Sequence, residues 1–356
     1  MIARLSRNQA LIAGGVAAVV VIGGVSTYAL TGNDSKKVAA TPSLTSAAPT
    51  ATPTPSPTRV PVSKPVVAVN PLTGIGKPPS GPILAVKIDD TENGRPSVGL
   101  DKADVVYIEQ AEGGLTRMVA VFGTNKPVVE AVRSVRASDA ELLSQYGPIS
   151  LIASGGGGDS LTTLDRSAVK GIINDRGGPG FGRDGNRPAP YNLQSNLAQV
   201  SAVAKTAGSR NVGFSWAVSD PRLTSAKSAS TITTVVGGTS VTFVWDAGAK
   251  RYIRTVDGSR LHAADGAAIG SPNVIVQLCQ VSVNPGDVDV VGNPSQFTHS
   301  VGSGRVVLFR NGKRIEGKWN RVSAGSPTHF TDLAGKPLLL APGGVTVVLA
   351  TVGAPV

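Results

Sequence analysis

The sequence predicts an α/β (α+β) domain followed by a mainly antiparallel β domain, both preceded by a segment that does not belong to the fold. Three observations lead there. Between residues 70 and 224, apolar runs of strand length alternate with stretches of helical spacing, the pattern of α/β structure. Beyond residue 225, short alternating runs are separated by turn residues such as Asp257-Gly258 and Asn311-Gly312, which mark hairpins. Before residue 70, an apolar run gives way to a proline-rich stretch.

In residues 1–32, Arg4 and Arg7 precede an uncharged run from Ala10 to Leu30. At about 1.5 Å per residue, a helix of that length just spans a bilayer core of about 30 Å. Positive charge ahead of the run puts the N-terminus in the cytoplasm and the remainder outside. The expectation is a signal-anchor or transmembrane helix, single-pass in the cell membrane. The alternative is a cleaved signal peptide with Thr27-Tyr28-Ala29 as its small-residue site, releasing a secreted product. No cysteine lies near the run, so a lipid-modified N-terminus is not expected.

Residues 33–69 form the expected linker. Pro42, Pro49, Pro53, Pro55, Pro57, Pro61 and Pro65 are interleaved with Ser, Thr and Ala. Such a stretch buries too little apolar surface to offset its ordering entropy, and its prolines keep it extended.

Residues 70–224 are the expected α/β domain. Pro82–Ile88, Val105–Ile108, Met118–Phe122 and Ile149–Ala153 look like buried strands, while Ala137–Tyr146 and Ser195–Ala207 carry helical spacing. Ser138 or Asp139 would cap the first helix. A tetraglycine, Gly155–Gly158, precedes a further helix start at Asp159-Ser160. In residues 225–356, strands are expected at Thr231–Val236, Ser240–Trp245, Arg251–Thr255, Val274–Val283, Arg305–Arg310, Lys313–Trp319 and Val345–Val352, with Gly302-Ser303-Gly304 as a turn. These would close into a barrel or curled sheet, packed closely enough on the first half for the two to act as one body.

Composition removes several function classes. The 356 residues include 34 Lys+Arg against 23 Asp+Glu, a net charge of +11, but only 4% aromatics. So few aromatics argue against base-stacking nucleic-acid modules, and no nucleic-acid partner is expected. The single cysteine, Cys279, excludes a disulfide framework and a thiolate zinc site, and reads as a small buried hydrophobe. His262, His299 and His329 follow no metal-ligand spacing.

The charged residues of the first half gather at strand ends. Asp89 and Asp90 close the first strand, Arg95 follows, and Asp104 precedes the second strand. Glu109 and Glu112 end that strand, Arg117 opens the third, and Arg133 and Arg136 follow with Asp139 three residues on. Carboxylates suit Mg²⁺ or Ca²⁺, and arginine forks grip phosphate oxygens. The pattern therefore allows a pocket that holds a divalent cation beside an anionic group, with Arg95, Arg117, Arg133, Arg136, Arg187 and Asn192 as candidates to bind the anion. A salt-bridge network without a ligand would use the same residues. The tetraglycine lacks the Gly-Lys-Ser/Thr ending of a phosphate loop and reads better as a flexible strand-to-helix turn.

Several blocks together resemble a known family. They are Asn70-Pro71-Leu72-Thr73-Gly74, Val86-Lys87-Ile88-Asp89, Arg95-Pro96, Ala103-Asp104-Val105-Val106-Tyr107, Glu112-Gly113-Gly114-Leu115-Thr116-Arg117, Val132-Arg133-Ser134 with Arg136, and Ala189-Pro190-Tyr191-Asn192-Leu193. In the second half come Gly302-Ser303-Gly304, Asn311-Gly312-Lys313, Gly317-Lys318-Trp319 and Ala341-Pro342-Gly343. In this order they resemble the YerB-like bacterial envelope proteins, a two-part family without an assigned activity. The chain departs from that family in lacking an acceptor cysteine for lipid and in carrying Tyr191 where members often have His. A more distant similarity, in pattern alone, is to the LytR-CpsA-Psr phosphotransferases. It implies that Asp89 and Asp104 hold Mg²⁺ while Arg117, Arg133 and Arg136 hold a pyrophosphate.

The expected function is thus a membrane-tethered, extracytoplasmic envelope protein, a binding or scaffold module for cell-wall polymer or wall-synthesis proteins. The alternative is a Mg²⁺-assisted phosphotransferase or binder of polyprenyl-pyrophosphate-linked glycan.

Overall fold

The valine- and isoleucine-rich runs of both halves come together in one sheet. The computed structural model describes residues 69–356 apart from residues 207, 209, 290 and 291. The expected membrane segment, and all of the expected linker except Val69, lie outside the described residues. The main sheet has eleven strands: β1 (Leu84–Asp89), β2 (Val105–Gln110), β3 (Thr116–Phe122), β4 (Ser150–Ala153), β5 (Lys170–Ile173), β6 (Lys227–Ser228), β7 (Asn273–Cys279), β8 (Gly302–Arg310), β9 (Lys313–Arg321), β10 (His329–Asp332) and β11 (Val345–Thr351). Across the sheet the order is β6-β9-β8-β7-β11-β2-β3-β1-β4-β5, with β10 also paired to β9. The halves join where β2 runs parallel to β11, Val105 level with Val345 and Ile108 with Val348.

Strands β1, β3 and β7 are buried at every position. A strand covered on both faces needs non-polar residues throughout, not at alternate positions, which is why these read as continuous apolar runs. One face packs Ala85, Val119, Val121, Ile275 and Val347 with Ala140 and Leu143 of helix α1 (Ala137–Leu143) and Leu164 of α2 (Ser160–Asp165). The other packs Val86, Met118, Ala120 and Val348 with Leu197 and Val200 of α3 (Leu197–Val203), and with Phe243 and Tyr252. Those aromatics belong to a separate five-stranded sheet built from residues 231–271.

The strongest hairpin signal behaves as its chemistry requires. Asn311 and Gly312 join β8 to β9 with Arg310 opposite Lys313, and both turn residues have positive φ, +52° and +68°. That is the sign a two-residue type I′ turn demands.

Other expectations change. The second half does not close into one barrel or curled sheet: residues 231–271 make the separate five-stranded sheet, while β6–β11 extend the sheet of the first half. Gly302-Ser303-Gly304 is no turn but the start of β8. Gly304 lies opposite Trp319, and a Cβ there would sit 2.7 Å from the indole Nε1, so the glycine makes room for the ring. The run Val274–Val283 splits after Cys279, and Val281–Val288 pairs with Pro294–Thr298 in a two-stranded ribbon. Ser195 and Asn196 end a short strand, and α3 begins only at Leu197, where the Asn196 carboxamide accepts from the amides of Ala198 and Gln199 at 3.1 and 3.2 Å. Helix α1 stops at Leu143; Arg136 is its N-cap residue, and Asp139, in the first turn, accepts from the Arg136 amide at 2.7 Å as the acid of a capping box.

A buried ion pair fastens the five-stranded sheet to the first half. Arg254 donates through both terminal nitrogens to Asp90, at 2.8 and 2.7 Å, and the Thr116 hydroxyl adds a third bond to the same carboxylate at 2.6 Å. Removing one member of such a pair leaves a charge in a dry site, at a cost of about 3–5 kcal/mol. Arg254→Met should therefore lower the urea midpoint by that equivalent at an unchanged m-value; a loss below about 1 kcal/mol would deny the clamp its importance.

Candidate functional site

Strands β1 and β2 both pair antiparallel to β3, so the ends of β1 and β2 and the start of β3 share one edge of the sheet. In cross-strand register, Asp89 stands opposite Arg117, and Arg117 opposite Glu109. This makes an acid–arginine–acid row on the face covered by α1. The next row inward brings Lys87 beneath the same helix, where its ammonium contacts Glu109 and Asp139, the latter at 2.8 Å.

Two carboxylates and one ammonium in a dry space hold more negative than positive charge. Burial drives the Glu109 carboxyl up to about 8, the neighbouring Asp139 pushes the same way, and Lys87 only partly opposes them. Lys87 itself ends above its ordinary value: burial lowers it, but Asp139 and Glu109 outweigh burial.

Toward solvent the cluster becomes arginine-rich. Asp89 Oδ1 accepts from the Thr91 amide and hydroxyl at 2.6 and 2.5 Å, while Oδ2 faces Arg133 at 3.0 Å and Arg117 at 3.5 Å. Arg136 forks onto Glu112, with Nη2 at 2.7 Å, and also donates to the Val135 carbonyl at 2.9 Å. Burial alone would raise the Glu112 carboxyl, yet the Arg136 fork and the Ser295 hydroxyl hold it down at about 2. Burial lowers Arg117, Asp89 resists this, and the adjacent Arg133 and Arg136 cations reinforce it. Ser295 stands between Glu112 and Asp287 at 2.7 and 2.9 Å, with one proton to give.

Arg133 is the outermost of the three. Its guanidinium lies 5.2 Å from the centre of the Tyr191 ring and its side chain keeps 21% exposure. The Tyr191 hydroxyl in turn meets the Asn93 carboxamide at 3.3 Å.

The remaining candidates lie elsewhere. Arg95 donates to the Asp90 carbonyl at 2.6 Å, beside the Asp90–Arg254 pair. Arg187 pairs with Glu130 at 3.0 Å and donates to the carbonyls of Gly94 and Pro96, bracing the loop packed on Asp89. Asn192 accepts from Arg183 and donates to the Asp184 carbonyl, holding its own hairpin. Asp104 is at the opposite end of the strands, where Oδ2 accepts from the amides of Gly123 and Thr124 at 2.6 and 2.7 Å. Six positions of β3, about 20 Å at ~3.3 Å per residue, separate Gly123 from Arg117. One magnesium ion cannot reach both Asp89 and Asp104, and these two do not fit as its ligands. Among the described residues no group of three His, Cys, Asp or Glu is placed to hold a metal.

The tetraglycine accommodates backbone, not phosphate. A Cβ on Gly158 would come 1.9 Å from the Gly286 carbonyl, and the Asp159 amide already donates to that carbonyl at 3.1 Å. Sequence reasoning missed Lys87 as a buried charge, and missed Asp287, Ser295 and Arg254, which arrive from the second half. Only Lys87 left a local signal, as a lysine within the apolar run Leu84–Ile88.

The fold and this cluster define a protein of two sequence domains sharing one sheet, with buried acids and arginines at the sheet's edge. The chain belongs to the DUF3048 family of proteins of unknown function, whose N-terminal domain matches residues 72–210 and whose C-terminal domain matches residues 231–347. It is 26% identical over 252 residues to the putative lipoprotein YerB of Bacillus subtilis (strain 168), covering 67% of this chain and 73% of that protein. The crystal structure of B. subtilis YerB matches with a TM-score of 0.66 at 22% identity, over 79% of this chain and 96% of the other. The YerB-like resemblance and the fold class, an α+β half followed by a largely antiparallel one, are thereby borne out.

The cluster makes stability depend on pH at both ends. Glu109 binds a proton more tightly folded than unfolded, so stability falls as pH rises from about 4.5 to about 8. Glu109→Gln should flatten that decline in urea melts recorded from pH 5 to 9; an unchanged slope would contradict it. Glu112 is shifted the other way, so its contribution is full above about 4.5 and is lost as pH falls toward 2. Glu112→Gln should remove that part of the acid transition.

Proposed function

We propose that this chain is an extracytoplasmic envelope protein whose Arg117–Arg133–Arg136 cluster binds an anionic, phosphate-bearing wall component without transferring it. The engagement of the acids carries this reading. Asp89 is held by Thr91, Arg133 and Arg117, and Glu112 by Arg136 and Ser295. A carboxyl held near 2 is too weak a base to take a proton from an attacking group. The acids act as braces that aim guanidiniums, and Arg133 is the one left with nitrogens to offer solvent. Its stacking on Tyr191 fixes the plane of the fork, which suits bidentate contact with phosphate oxygens.

An envelope location is supported by the basic-then-apolar N-terminal pattern and by the name of the B. subtilis relative as a putative lipoprotein. A lipoprotein carries its acyl chains on a cysteine, whereas the one cysteine here, Cys279, is buried within β7. Tethering of this chain therefore falls to the run from Ala10 to Leu30. No helix among the described residues is long and apolar enough to cross a membrane.

Two measurements test the reading. Titrating the full chain with a glycerol-phosphate oligomer at low salt should show binding that Arg133→Gln weakens at least about tenfold, the worth of one charge-assisted fork, in a variant that still unfolds cooperatively, at a lowered melting temperature because Asp89 loses its nearest cation. Equal binding by the variant, or none by the parent at millimolar concentration, defeats the anion site. In fractionated cells the intact chain should pellet with membranes and resist carbonate extraction; a shortened soluble form would refute the tether.

A further inference from the structure

On the far face of the sheet, a cavity of about 80 Å³ lies between β2–β3 and the five-stranded sheet. That is several times the ~10–15 Å³ a single water needs. One side of its wall is apolar, formed by Ile108, Met118 and Phe243. Five polar side chains share the lining: Ser271 and Thr346, whose hydroxyls meet at 3.0 Å, and Asp101, Arg251 and Arg254. Asp101 keeps its Oδ1 buried without a hydrogen-bond partner, although Oδ2 pairs with Lys102. Arg254, clamped to Asp90 through its terminal nitrogens, keeps its Nε buried and unpartnered. Arg251 also lines the cavity, and among the described residues its guanidinium has no ion pair and no hydrogen bond.

An unmatched acceptor and an unmatched donor on residues of one cavity's wall are each a cost that a ligand would remove. Arg251 adds a free positive charge. The complement is a small molecule with a hydrocarbon body, a carboxylate for the arginines, and a proton-donating group for Asp101. We propose that this cavity binds an apolar α-amino acid, its carboxylate at Arg251 and the Arg254 Nε, its ammonium at Asp101 Oδ1, and its side chain against Ile108, Met118 and Phe243. This site lies on the opposite face from the Arg133 cluster and is independent of the anion reading.

The test is calorimetric titration of the full chain in detergent with L-leucine and D-leucine. The comparison ligands are 4-methylpentanoate, which lacks the ammonium, and isoamylamine, which lacks the carboxylate. At least one leucine enantiomer should bind, and both comparison ligands should bind at least tenfold more weakly. Arg251→Gln should reduce leucine binding at least tenfold while leaving the thermal transition in place, since Arg251 is part-exposed and unpaired. Asp101→Asn should weaken leucine but leave 4-methylpentanoate unchanged. Absence of leucine binding at 10 mM, equal binding of leucine and 4-methylpentanoate, or equal binding by parent and Arg251→Gln would each overturn the assignment.

Discussion

The pairing of β2 with β11 is the contact on which the main sheet depends. Val105–Ile108 and Val345–Val348 lie side by side in parallel, and without that ladder the main sheet parts into one piece from each half. Parallel strands are stable only when both faces are covered, and here both are, by α1 on one side and the five-stranded sheet on the other. The partners are roughly 240 residues apart, a separation that makes closure slow by the logic of contact order. The Asp90–Arg254 pair serves the same junction by holding the covering sheet in place.

The junction also explains why the charged cluster is shaped as it is. Its inner part, Lys87 with Glu109 and Asp139, belongs wholly to the first half. Its outer part is finished by Ser295 and Asp287 from the second. Burying so many charges is tolerable only because each has a partner within reach. The same pairing leaves little chemistry free inside and turns the arginines outward. Arg133, set on Tyr191, is where the cluster meets solvent.

Legibility in the sequence followed the range of the interaction. The Asn311-Gly312 hairpin was readable because its geometry is decided by two adjacent residues. The buried strands were readable because covering both faces demands apolar side chains throughout. The sharing of one sheet was not, since the apolar pattern of Val345–Thr351 states that a strand is buried but not which neighbour it takes. The site divides in the same way. Arg117, Arg133 and Arg136 were readable as a group with Asp89, but Asp104 was grouped with them as another strand-end acid and by a resemblance in pattern. Because β1 and β2 run the same way, an acid at the end of one and an acid at the start of the other stand at opposite edges. Ser295 and Arg254, distant in sequence, gave no signal at all.

A chain is made from its N-terminus, so strands become available in numerical order. Here the last of the eleven, β11, belongs at the middle of the sheet, between β7 and β2. Until it emerges, both flanks exist but the centre is an open slot lined by two unpaired strand edges of Val and Ile. Such edges readily pair with other chains, so the interval between emergence of β7 and arrival of β11 is when this protein is most exposed to misassembly. A chaperone holding the nascent chain would have its most useful target there, at a gap that the finished molecule no longer shows.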